Sequence, residues 1–440
     1  MSFSTIYLAI TIMLCGQSNY EGRPNEDAYF LELLQSFKTE WNDLRVVRPS
    51  MFYIARIQSI QTIEGLNKQA RVLDKADSLS KTVLKDKLSE KALLSYHQWQ
   101  YEIKLNRERL FLERKIKESG ADFAIGQNPA QKELRKQWYL YLVKEYAGCD
   151  VSLEKLNAFG LSEIRKVQDE IRKLQERTGF SANTDSFYNF LQQMSFVLSD
   201  EKEIQNLYRK KYETILSKLP ELFQVNTNIP LNIKNSPTNN ADTPPGYYIA
   251  EENTFYYNFF DQQHNSRSMD FLLLHEGVPG HHLQFQLNQS SKSVFSLSDL
   301  FLYRAYSEGW AAYCEGLGHQ LGLYNTEWDY MGKLEWDIVR ATRIVMDIGL
   351  NFNDWTDQQA LDFWRQNIQG QEAIALREIK RMRSSPAQVH TYLVGAYLIR
   401  QLIDQEKKKK GDQFNLGTFH SKFLKQGPLP FSVLLDSCSF

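Results

Sequence analysis

His275-Glu276-Gly277-Val278-Pro279-Gly280-His281-His282, or HEGVPGHH, is the stretch on which the reading of this chain turns. Three of the chain's 8 histidines fall within it, and a glutamate follows the first. Core packing does not call for such a density of imidazoles, whereas a divalent ion does. In the usual zinc-hydrolase signature, HExxH on a helix, two histidines one turn apart reach the same ion. The glutamate beside the first then addresses the attacking water. Here Pro279 stands where the second histidine should be. On an uninterrupted helix His281 would point well away from His275, and His282 would share its face two turns further along. Proline removes a backbone donor and crowds the preceding turn, and glycine lets the chain take up the slack. A local bulge at Pro279-Gly280 would therefore return His281 or His282 to ligand position, and both stand as candidates.

A catalytic zinc (Zn2+) site takes a third protein ligand and leaves one position open. Glu308, in the helical stretch SEGWAAYCE, is the candidate, presented from a second helix packed across the first. Glu315 follows seven residues later on the same face and is a candidate to orient a histidine. With zinc bound, the ion would polarise a scissile carbonyl and lower the pKa of water. Glu276 would take the water's proton and pass it to the leaving amine, and the oxyanion would need a further donor.

The 440 residues carry 52 Lys+Arg against 53 Asp+Glu, a formal charge of -1, with 42% hydrophobic and 13% aromatic residues. The charge balance gives no electrostatic case for nucleic acid or an anionic membrane surface, and the composition is that of an ordinary globular chain. Ile6 to Cys15 is an apolar run too short to span a bilayer but suited to an export signal, although no Lys or Arg precedes it. Residues 1–18 therefore read as an export or lipoprotein signal with Cys15 as the lipidation candidate, and 19–440 as a single domain. The expected location is the periplasm or cell envelope, or the cytoplasm if that run is not a signal. Cys149, Cys314 and Cys438 form no metal-ligating spacing and read as buried free thiols.

Along the chain the pattern is mainly α-helical. Leu161, Ile164, Val167, Ile171 and Leu174 share one face, with Gly179 as the stop, and a further helix runs from Glu201 to Leu219. The strand-like runs are Pro230 to Ile233, Tyr247 to Ile249 and Thr254 to Asn258, the last two leading directly into HEGVPGHH.

These residues resemble the family known as domain of unknown function 885, a set of zinc-peptidase-like bacterial proteins. The likeness runs through HEGVPGHHLQ, Tyr306 to Tyr324, Arg340 to Phe363, Ser385 to Ile399 and Phe414 to Pro430, with Leu156 to Leu174 upstream. It covers most of residues 135–440. That family in turn looks similar to neurolysin-type oligopeptidases and thermostable carboxypeptidases. The resemblance implies a helical zincin-like bowl with a small β-sheet beside the metal-binding helix. Phe255 to Asn258 would be its edge strand, and Tyr257 and Asn258 would bind a peptide by strand addition. It also implies that Tyr392 or Tyr397 supports the oxyanion, with His390 a weaker candidate. Among Arg377, Arg381 and Arg383, an arginine such as Arg381 would hold a substrate carboxylate. Two departures stand out: Asn351 where the family usually has histidine, and Ala387 where it usually has glycine.

The expected activity is hydrolysis of amide bonds in short peptides. The alternatives are hydrolysis of another amide or ester, and a non-catalytic peptide-binding protein on the same fold.

Overall fold

The computed structural model describes residues 25–46, 52–119, 129–180, 183–224, 229–240 and 243–435. The signal expected at 1–18, with Cys15, lies outside them. The principal elements in chain order begin with α1 (Glu26–Asp43), α2 (Ile63–Ser80), α3 (Glu90–Glu118), α4 (Pro129–Ala147), α5 (Leu153–Arg177) and α6 (Glu201–Leu222). Three strands follow, β1 (Asn232–Asn235), β2 (Gly246–Ile249) and β3 (Thr254–Tyr257). The chain then returns to helix with α7 (Met269–Glu276), α8 (His281–Ser290), α9 (Arg304–Glu315), α10 (Glu327–Asn351), α11 (Glu372–Ser384), α12 (Thr391–Lys410) and α13 (Leu416–Gln426).

The helices follow their sequence signals. In α5, Ile164, Val167, Ile171 and Leu174 are buried on one side, and Ser152 caps the start by accepting from the Lys155 N–H. The chain leaves α5 through Gly179 at φ 85°, a conformation that costs glycine little. Helix α6 outruns its expected end, with Pro220 in its last turn. Only one carbonyl of the preceding turn loses its donor there, and no later turn has to follow the ring.

The sheet corrects one expectation. Its order is β1-β3-β2, with β1 parallel and β2 antiparallel to β3. The strand containing Phe255 to Tyr257 is therefore central, paired on both sides, and cannot accept an added peptide strand. Strand-forming composition marks this segment as a strand but carries no information about which neighbours it pairs with.

Two apolar clusters hold the molecule. One joins α1–α4, α6, the sheet, α7–α9, α12 and α13 with Leu156 of α5 and Ile344 and Ile348 of α10; the other joins the rest of the buried face of α5 and α10 with α11. Helices α9 and α12 approach unusually closely. A Cβ on Gly309 would lie 2.4 Å from the Gly395 Cα, and one on Gly395 would lie 2.1 Å from the Ala305 carbonyl oxygen. That contact sets the helix carrying Glu308 against the helix carrying Tyr392. Cys314 is a buried free thiol as expected, whereas Cys149 is disulfide-bonded and so departs from that expectation.

Candidate metal centre

HEGVPGHH does not form a bulged helix. It forms the end of α7 and the start of α8 with a break between them at residues 277–280. Gly277 and Gly280 adopt ψ values of -123° and -134°, and the Val278–Pro279 bond is cis. Gly280 packs so tightly that a Cβ would lie 1.9 Å from the His275 carbonyl oxygen. Trp310 of α9 donates to the Pro279 carbonyl at 2.8 Å and ties the break to the neighbouring helix.

This break decides which histidine faces His275. The Nε2 atoms of His275 and His281 lie 3.6 and 3.5 Å from Glu308 Oε2. One ligand atom from each of the three residues falls within 4.8 Å of the others. Donors bound tetrahedrally at zinc distances lie roughly 3.4 Å apart, so this spacing fits an ion in the middle better than direct hydrogen bonding. Glu276 Oε1 is 4.0 Å from His275 Nε2, at the margin of the cluster. His282 is not part of it, which corrects its candidacy as a ligand. It is fully buried, and its Nδ1 is 2.8 Å from the Tyr248 hydroxyl. As the second residue of α8 it points away from the face that His281 presents, and burial pulls its pKa down to about 4.

Behind the cluster runs a chain of charge. His275 Nδ1 lies 2.6 Å from Glu315 Oε1, and Arg340 donates to Glu315 Oε2 at 2.6 Å. Burial opposes ionisation of Glu315, but Arg340 and His275 overcome it and hold the carboxyl near 2. Burial likewise opposes charge on Glu308, yet the two imidazoles keep it well below the usual carboxylate range. For His275 the penalty of burial is outweighed by Glu308, Glu315 and Glu276, which lift it to about 10. An environment that favours a proton so strongly favours a dication for the same reason.

Tyr392 of α12 closes the other side. Its ring stacks on His275 with centroids 6.1 Å apart, and its hydroxyl accepts from Arg381 at 3.0 Å. Accepting that bond leaves the hydroxyl's own proton free to be donated.

A comparison with protein families matches residues 30–437 to one described as "Bacterial protein of unknown function (DUF885)". The chain belongs to this family. The match takes in α1 to α4, upstream of the motifs that carry the resemblance. Among solved structures, the chain is similar to a "putative lipoprotein" from Colwellia psychrerythraea, with TM-score 0.65 and 19% identity, covering 98% of this chain and 88% of that one. A second, described in the same words and as of unknown function, comes from Shewanella oneidensis. It has TM-score 0.57 and 21% identity, covering 93% of this chain and 81% of that one. At these identities the likeness establishes a shared fold. Comparison with curated proteins found no match.

In this DUF885 member four further candidates fall elsewhere. Tyr397 lies five residues beyond Tyr392 on α12 and so on a different face; its ring packs on Phe159 and its hydroxyl accepts from Gln401. Tyr257 is fully buried against Tyr208, out of reach of a substrate. Asn258 donates to the carbonyls of Asn240 and Thr243 and so fastens a loop. His390 is buried with Nε2 at 3.0 Å from both Asp347 and the Tyr139 hydroxyl. The same Asp347 accepts from the Ala387 N–H and from Asn351, so both departures from the family pattern meet at one carboxylate.

Arg340 was not among the candidates. Its signal was present, because Arg340, Arg343 and Asp347 recur at core spacing within the largely apolar stretch 338–350 of α10 and all three are buried.

Proposed function

We propose that this chain is a zinc-dependent peptidase of zincin-like, neurolysin-like architecture that cleaves short peptides. The observation that carries the reading is the convergence of His275, His281 and Glu308 at zinc-ligand spacing, with Glu276 at its edge. Zinc held there would supply Lewis-acid polarisation of a scissile carbonyl and a more acidic water. Glu276 takes the proton from the attacking water and returns it to the departing amine. Tyr392 donates to the oxygen on which negative charge develops. Glu315, itself held by Arg340, fixes the His275 ring so that Nε2 faces the ion.

Export fits the same reading. The apolar leader run, a disulfide-bonded Cys149 and structural relatives described as lipoproteins all agree with an oxidising, extracytoplasmic setting. Membrane attachment would then run through Cys15. Among the described residues no helix is long and apolar enough to cross a membrane.

The test pairs metal analysis with a peptide library read by mass spectrometry, using wild type and Glu276→Gln. One zinc per chain is expected in both, with cleavage by the variant reduced by about 10²- to 10⁴-fold. Failure to take up zinc would end the proposal. Zinc in both proteins with no peptide cleaved would replace it with the binding-protein reading.

A further inference from the structure

Three guanidinium groups surround the Tyr392 ring. Those of Arg340, Arg343 and Arg381 lie 5.5, 5.3 and 5.9 Å from its centroid. Two of them are matched by buried carboxylates at hydrogen-bond distance, Arg340 by Glu315 at 2.6 Å and Arg343 by Glu378 at 2.9 Å. Arg381 is different. Its nearest carboxylate is Glu378 at 3.9 Å, already bonded to Arg343, and its two hydrogen bonds go from Nη2 to neutral oxygens of Gln388 and Tyr392. Its side chain is 36% exposed, against 6% for Arg340 and 2% for Arg343. A guanidinium carries five donors in a planar fork, so Arg381 keeps donors available for an incoming group.

Its position ties it to the metal centre. Arg381 holds the hydroxyl of the tyrosine stacked on His275, and it feels the charge of Glu308. The neighbouring arginines of α11 do not compete for this role. Arg383 is committed to Asp357 and to the carbonyls of Leu350 and Trp355, while Arg377 lines a separate cavity with Phe260, Trp336 and Ile374. Glu308 and Ser307 also line a cavity of about 990 Å³ with Phe285, Asn288 and Arg304, room for part of an extended peptide.

We propose that Arg381 anchors the free C-terminal carboxylate of the substrate, so that the enzyme removes residues from the C-terminal end. The inference rests on the peptidase reading and narrows it to a substrate class. In the reaction the water oxygen bonds to the last peptide carbonyl carbon, the C–N bond breaks, and the proton carried by Glu276 goes to the amine of the released amino acid. A carboxylate at Arg381 fixes which peptide bond lies over the cluster.

The test compares an N-acetylated tripeptide with its C-terminal amide. Calorimetry on zinc-loaded Glu276→Gln protein reads binding, and mass spectrometry on zinc-loaded wild type reads the products. The acid is expected to bind about 10- to 100-fold more tightly than the amide. Adding Arg381→Gln should erase that ratio, and Arg381→Lys should keep part of it. Products from wild type should be single C-terminal amino acids. Equal affinity for acid and amide would overturn the proposal, as would a ratio that survives Arg381→Gln, because the carboxylate would then be held elsewhere, at the metal included. If Arg381→Gln melts early, Arg381→Lys and the wild-type acid-to-amide ratio decide. Loss of zinc or of all cleavage would count against the peptidase reading alone, since the acid-to-amide binding ratio still decides the role of Arg381.

Discussion

Two of the buried groups of charged side chains in the molecule are built on opposite principles. Between α3, α4 and their neighbours, Arg56 forks onto Glu145 at 2.6 and 2.8 Å, Arg109 meets Glu113 at 2.7 Å and Gln69 at 2.6 Å, and Glu102 accepts from Tyr303 at 2.8 Å. Each of these contacts is a direct hydrogen bond between unlike partners. At the α7–α8 break, the Nε2 atoms of His275 and His281 stop 3.6 and 3.5 Å from Glu308 Oε2, and all three ligand atoms lie within 4.8 Å of one another. Burial and charge are common to both regions. Spacing separates them: the first group is closed by direct hydrogen bonds, and the second holds its ligand atoms at the separation that zinc donors take.

The comparison fails most visibly if ligand removal behaves like salt-bridge removal. His281→Ala or Glu308→Ala should lower zinc affinity by more than the roughly 10- to 100-fold expected for an outer partner. Competition with a chelator measures this, and the melting temperature of the metal-free protein should change little. Arg56→Ala should do the reverse. It strands Glu145 in a mostly buried position and should cost about 3 kcal/mol in urea unfolding, with zinc content unchanged. Loss of zinc in that variant would show that the two regions are not independent.

Glu102 gives the comparison a pH signature. Burial is the main cause that lifts its carboxyl to about 8, despite bonds from Tyr303 and Asn106. The unfolded chain ionises this group near 4.5, so between about 4.5 and 8 the folded state holds the extra proton and stability falls as pH rises. Glu102→Gln should gain on wild type steadily across that window, by a few kcal/mol at most, and then level off. Melting curves from pH 4 to 9 read this directly, and a parallel pH course for the two proteins would refute it. Glu315→Gln should weaken zinc binding by about 10- to 100-fold, because it loosens the hold on His275 without removing a ligand. The smallest effect is expected at Ala387, which sits at φ 65° with no glycine's freedom. Ala387→Gly should stabilise the fold by about 1 kcal/mol in urea unfolding, and a loss of stability would mean the methyl group's packing outweighs the backbone strain.

Several of these residues were legible in sequence order. The pairing of His275 with Glu276, the acid at Glu308 and a support at Glu315 follow from residue type and helical spacing. So does the buried face of α5, because a periodic apolar stripe has one way to hide from water. Arg340 carried a signal of its own, a charge at core spacing in the largely apolar second half of α10, but its partner lies on another helix. Tyr257 and Asn258 were misplaced because strand propensity is a property of one segment, whereas being an edge or a centre is a property of its neighbours.

By itself the sequence determined that imidazoles and a glutamate crowd one short segment, that a second helix offers an acid, and that the surroundings are helical. It left His281 and His282 as equals, since both lie within reach of a chain freed by Pro279 and Gly280. Only the tertiary structure decided between them. Gly280 is pressed against the His275 carbonyl and Trp310 grips the Pro279 carbonyl, so α8 starts in a fixed orientation. That orientation turns His281 toward Glu308 and sends His282 inward to Tyr248. The direction in which a broken helix restarts is set by what packs on the break, and those contacts come from residues distant in the chain.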